Sequence, residues 1–195
     1  MSLESALERW RTKPVSRILS HGMCCHMARE WLVSMDKSML RDNNPLSGPK
    51  WLREKYEWGP VKWPLYWCEA VRSDHLDCGA LAAISRELFL ARGIACLPVQ
   101  LIQRYPPHVV QHWVSMWSRA GMPATWVEGA LVYHEACAVV RQGDVVEVWD
   151  PVEACWLDPG TKGYGAIMAL KVSSSELHHI VWRGRCFPTN TWIIL

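Results

Sequence analysis

Three residues have the types, order and context that thiol chemistry needs: Cys78 in DCGALAAI, His134 in LVYHEACAVV and Asp150 in VVEVWDP. A thiol attacks carbon only as thiolate, and a free-thiol pKa of about 8.5 leaves it mostly protonated at neutral pH. A helix N-terminus counters this with unpaired amide N–H groups and the positive end of the helix dipole. A nearby histidine can take the thiol proton and later return it to a leaving amine. A carboxylate behind the histidine fixes its tautomer and steadies the imidazolium. Each of the three residues therefore has a chemical reason for its place, although Asp158, in the similar turn LDP, competes with Asp150 for the acid's role.

The elements that must position them are legible from periodicity. From Asp77 onward, Leu81, Ile84, Leu88 and Phe89 fall on one helical face, and Arg92-Gly93 marks the stop, with Gly93 suited to a left-handed cap. ACLPVQLIQRY then alternates Leu97, Val99 and Leu101 like a half-buried strand. LVYHEACAVV, RQGD and VVEVWDP read as strand, turn and strand, with the turn at Gly143-Asp144. In such a hairpin His134 and Asp150 become cross-strand neighbours close enough to hydrogen-bond. Glu135, next along the strand, is expected to point away from the cysteine because successive strand residues face opposite ways.

With these motifs the chain resembles the transglutaminase-like superfamily of papain-type thiol enzymes over Asp77 to about Pro151. DCGALAAISRELFLARGIA is similar to the family's nucleophile helix, and YHEACAVVRQGDVVEVWDP to its His strand, turn and Asp strand. The resemblance implies Cys78 as nucleophile, His134 as base and Asp150 as orienting acid. It also implies an acyl-enzyme on the cysteine, resolved by water or by an amine. Where many members carry His-Ala-Trp, this chain has His134-Glu135-Ala136, and its span 103–131 is longer than a minimal core needs. Substrate and reaction direction stay open.

The expected fold is α+β, with a papain/transglutaminase-like core: a helix carrying the cysteine packed on an antiparallel sheet carrying His134 and Asp150, preceded by N-terminal helices. One domain spans 1–195. It comprises a helical region 1–47, a Trp/Pro-rich segment 48–72, a core 73–159 with an insertion near 104–130, and an extension 160–195. The extension is read as holding a helix near IMALKVSSSELHHI and a last apolar run, TWIIL.

An oxyanion hole needs the Cys78 N–H and a second donor; Trp67 is the candidate, with Arg72 or His75 as substitutes. Thirteen tryptophans are a surplus, and Trp51, Trp58, Trp63 and Trp67 crowd one stretch. Most are read as packing, while Trp113 and Trp126 are candidates for a substrate wall.

No cofactor and no metal are expected. His21, Cys24, Cys25 and His26 crowd one segment and His108 and His112 another, but neither has paired C-x-x-C knuckles. The eight cysteines are read as reduced, because a chain that is 50% hydrophobic can bury a core without disulfides. Net charge of +2, from 21 basic and 19 acidic residues, gives no reason to expect nucleic acid. No apolar run has spanning length and the start lacks a secretory stretch, so a cytoplasmic protein without membrane partners is expected.

The function these features predict is cysteine-dependent acyl transfer on a narrow peptide or small-molecule amide, ester or thioester. An amine serves as a possible acceptor, in specialised biosynthesis or peptide processing. The alternative is a non-catalytic module of the same fold that binds a partner through its Trp-rich surface.

Overall fold

The computed structural model describes residues 2–39, 44–157 and 165–195, so Asp158 lies outside the described residues. Two helices open the chain, α1 (Leu3–Trp10) and α2 (Gly22–Met39), separated by an extended stretch that contains Pro14. Then come α3 (Ser47–Lys55), the single turn α4 (Trp67–Ala70), α5 (Cys78–Ala91) and α6 (Pro107–Arg119). Among the described residues no helix is long and apolar enough to cross a membrane.

The strands β1 (Glu57–Trp58) and β2 (His75–Leu76) form a small parallel pair. The main sheet joins β3 (Cys96–Arg104), β4 (Val127–Glu128), β5 (Leu131–Val140), β6 (Val146–Asp150), β7 (Cys155–Trp156) and β8 (Ala166–Val172). A hairpin of β9 (His179–Trp182) and β10 (Arg185–Pro188) follows, and β11 (Ile193–Ile194) returns to the main sheet. The order is β11-β8-β3-β5-β6-β7, with β4 beside β5, and every pairing within it is antiparallel. The protein is therefore mixed α+β with a mostly antiparallel sheet.

Helix α5 is apolar nearly all round because it is buried on two sides. Leu81, Ile84 and Leu88 pack among residues of α2, α3 and α4, while Ala82 and Phe89 pack on Cys137, Val139 and Trp149 of the sheet. Burying each of the large side chains contributes about 2 kcal/mol, and Phe89→Ala would cost about 3 to 5 kcal/mol. The helix ends as its sequence requires: Gly93 has φ +73°, a left-handed conformation open to glycine at little cost. The opposite face of the sheet is covered by Ile180 and Trp182 of β9.

The β5–β6 hairpin forms with Cys137 opposite Trp149 and Val140 opposite Val146. Gly143 and Asp144 are both left-handed, at φ 71° and 57°, which suits the right-handed twist of the flanking strands. The expected insertion contains α6 and the short edge strand β4.

One expectation fails. IMALKV is a strand, β8, rather than part of a helix, because β3 offers it a hydrogen-bonding edge from Val99 through Arg104. Leu170 and Val172, two residues apart, both enter the core cluster on one face, which is the period of a strand. The TWIIL run supplies β11 on the far side of β8.

Candidate active site

Cys78 is the first residue of α5, and Asp77 is its N-cap. The Asp77 carboxylate accepts a hydrogen bond from the Ala80 N–H at 2.8 Å and one from the Trp63 indole Nε1–H at 2.6 Å. Burial raises the Asp77 pKa to about 6; the bonds from Trp63 and Ala80 oppose that rise and the nearby Glu135 charge adds to it. This clamp explains the Asp before the Cys: it fixes the helix start and satisfies one of its unpaired N–H groups.

The glycine after Cys78 has an equally local cause. A Cβ at Gly79 would lie 2.3 Å from Ser16 Oγ, so only glycine admits the chain that crosses there. Ser16 is held by Glu135, whose buried carboxylate accepts from the Ser16 N–H at 3.1 Å, the Ser16 hydroxyl at 3.0 Å and the Tyr133 hydroxyl at 2.8 Å. Glu135 thus buttresses the helix start and is not bonded to His134. It lines the same cavity as Cys78, so the expectation that it points away from the cysteine is not met.

His134 lies on β5 and Asp150 ends β6. Continuing the hairpin register by one step puts Ala136 opposite Asp150, so His134 is the diagonal neighbour on the same face. The diagonal is bridged: His134 Nε2 lies 2.7 Å from Asp150 Oδ2. Asp150 is fully buried, and its other oxygen accepts from the Val152 N–H at 2.6 Å and the Glu153 N–H at 3.2 Å. Those bonds satisfy the buried carboxylate and aim it at the ring.

Burial alone would lower the His134 pKa, but the Asp150 charge and hydrogen bond, together with the Cys78 thiol interacting with the ring, hold it well above 6.5. With Nε2 committed to Asp150, Nδ1 is the ring nitrogen left to face Cys78. Cys78, His134 and Asp150 thus meet at one cavity of about 1160 Å³, which all three line.

The other side of the cavity is aromatic. Trp58, Trp113, Trp117 and Trp126 border it and touch one another, with centroids 5.5 Å apart for Trp58–Trp113, 4.9 Å for Trp58–Trp117 and 4.8 Å for Trp117–Trp126. Tyr105 stands edge-on to Trp113 at 4.8 Å. Both wall candidates, Trp113 and Trp126, are therefore at the cavity.

Trp67 is not. Its ring is 4% exposed within the core cluster beside α2, and neither it, Arg72 nor His75 borders the cavity. Of the four clustered tryptophans, Trp51 and Trp67 belong to packing, while Trp58 and Trp63 also face the site. Sequence reasoning missed Gln103. Its register opposite Val132, two residues from His134, puts it on the His134 face, and its buried Nε2 has no hydrogen-bond partner among the described residues. A polar residue inside the alternating strand run was the available signal. Trp63 stands in the crowded tryptophan stretch, but its bond to Asp77 reaches across α4 and β2, a separation no periodicity describes.

No protein-family model, no curated protein and no solved structure matches the chain.

Proposed function

We propose that the protein is a thiol acyl-transfer enzyme of transglutaminase-like type, acting through a thioester on Cys78. The observation that carries this reading is the 2.7 Å His134–Asp150 bond at the same cavity as a cysteine on a helix N-terminus.

In the proposed reaction the Cys78 thiolate attacks the carbonyl of an amide, ester or thioester, while His134 carries the proton. The tetrahedral oxyanion accepts from the Cys78 backbone N–H, with the unpartnered Gln103 amide as the side-chain donor. Collapse expels the leaving amine, alcohol or thiol with the proton from His134, leaving a Cys78 thioester and neutral imidazole. His134 then takes a proton from water or an amine as that molecule attacks the thioester. The acid or new amide departs, and thiolate and imidazolium are restored. Asp150 steadies the imidazolium at both stages.

The cavity supports a narrow substrate. At about 1160 Å³ it exceeds the roughly 300–1,000 Å³ of ordinary small-molecule sites, which suits a peptide segment or a donor and acceptor held together. Its tryptophan wall favours an apolar or aromatic group beside the reacting carbonyl.

The test is intact-protein mass spectrometry after incubation with a panel of aryl and alkyl acyl thioesters. A single acyl adduct on Cys78, absent from Cys78→Ala, supports the reading. Adducts spread over the other cysteines at equal rate would remove it.

A further inference from the structure

A second cluster of reactive side chains lies away from the cavity. His21 immediately precedes α2, Cys24 and Cys25 lie in the first turn of α2, and Cys68 comes from α4. Their ligand atoms all fall within 4.8 Å of one another. Cys25 Sγ is 3.3 Å from His21 Nδ1 and 3.4 Å from Cys68 Sγ. None of the four borders the acyl-transfer cavity.

From this convergence we propose that His21, Cys24, Cys25 and Cys68 form a structural Cys3His site for zinc. A tetrahedral zinc with sulfur at about 2.3 Å and nitrogen at about 2.0 Å separates sulfur from nitrogen by roughly 3.5 Å and sulfur from sulfur by roughly 3.8 Å, so the two closest pairs, at 3.3 and 3.4 Å, need to open by only a few tenths of an ångström. Three thiolates and an imidazole are a borderline-soft donor set that suits zinc over magnesium or calcium. Four such ligands leave no open position, as in structural rather than hydrolytic sites.

The surrounding chain holds the donors in place without a metal. The Leu19 N–H donates to the Leu65 carbonyl at 2.8 Å and the Trp67 N–H donates to the Leu19 carbonyl at 3.0 Å, which ties the extended stretch before α2 to the start of α4. The His21 ring stands edge-on to Tyr66 at 4.4 Å, with its Nδ1 toward Cys25. Packing explains the buried Cys25, but it gives no reason for exposed His21 and Cys24 to join it.

Sequence spacing alone set this cluster aside because the near candidates were His21, Cys24, Cys25 and His26, with no partner pair. The fold replaces exposed His26 with Cys68. Zinc here would pin α2 to α4, which lies within the 63–77 segment whose ends, Trp63 and Asp77, hold the start of α5. The site is independent of whether Cys78 is a nucleophile.

The experiment is elemental analysis of the full chain purified under reductant, followed by cobalt(II) titration of the metal-free protein. The expected result is one zinc per chain, and one equivalent of cobalt giving thiolate charge-transfer and tetrahedral d–d absorption. Zinc affinity should fall at least about a hundredfold in Cys68→Ser and Cys24→Ser, while the distant exposed Cys186→Ser keeps full occupancy. Should Cys68→Ser fail to fold, the wild-type cobalt spectrum and the exposed Cys24→Ser decide. Trace zinc with featureless cobalt spectra, or a Cys25–Cys68 disulfide in protein alkylated at lysis, would overturn the proposal.

Discussion

The two sides of the cavity are built on different principles. At the polar corner each functional atom is committed: Asp150 has one oxygen on His134 and the other on two backbone N–H groups, and Asp77 ties Trp63 to the start of α5. At the aromatic side, tryptophans are held by contact with one another, and one buried donor, Trp126 Nε1, has no partner among the described residues. Hydrogen bonds fix direction, so small changes at the corner should destroy chemistry. Contact area is forgiving, so changes at the wall should alter which ligand binds more than whether the reaction runs.

The largest break in that contrast is Asp150→Asn. It should reduce acyl transfer about 10⁴-fold, as expected when a histidine loses its orienting carboxylate. The same change should lower the His134 titration, followed by NMR, because burial would then act with little opposition. In the wild type the folded pKa is raised. The stability contributed by the pair is therefore fully present below about pH 6.5 and lost as pH rises through the higher folded value.

Next, Gln103→Ala should lower kcat about 10²-fold with KM nearly unchanged, since an oxyanion donor acts in the transition state. An equal rise in KM with constant kcat would move Gln103 to the recognition side. Asp77→Ala should cost about 2 kcal/mol in urea unfolding, combining a lost helix cap with a lost buried bond to Trp63. The smallest effect belongs to the wall: Trp113→Ala or Trp126→Ala should lower kcat/KM about tenfold for the best aromatic acyl donor and leave small acyl donors nearly unaffected. An unchanged specificity constant would end the wall's role in selection.

The polar corner was the more legible side in the sequence because its parts are local. The cysteine follows its cap directly, Gly93 closes its helix, and the hairpin turn sets the separation of His134 and Asp150. The wall was legible only as a surplus of tryptophan, since Trp58 on β1, Trp113 on α6 and Trp126 in a turn meet only through tertiary packing that periodicity does not describe. Trp67 and Trp63 differ by four residues and similar chemistry, yet one packs in the core and the other reaches Asp77. Likewise IMALKV is too short for its period to separate helix from strand, and the free edge of β3 decides it. Cys68 joins His21 only after the chain between them has folded.

The central claim is that Cys78 and His134 work as a pair, and it is tested most directly by iodoacetamide alkylation across pH, with mass spectrometry locating the label. The account predicts that Cys78 reacts ahead of the other seven cysteines at mildly acidic pH, and that His134→Ala slows it at least about tenfold there with recovery only on the alkaline side. Alkylation of Cys78 no faster than the others, or unchanged in His134→Ala, would contradict it.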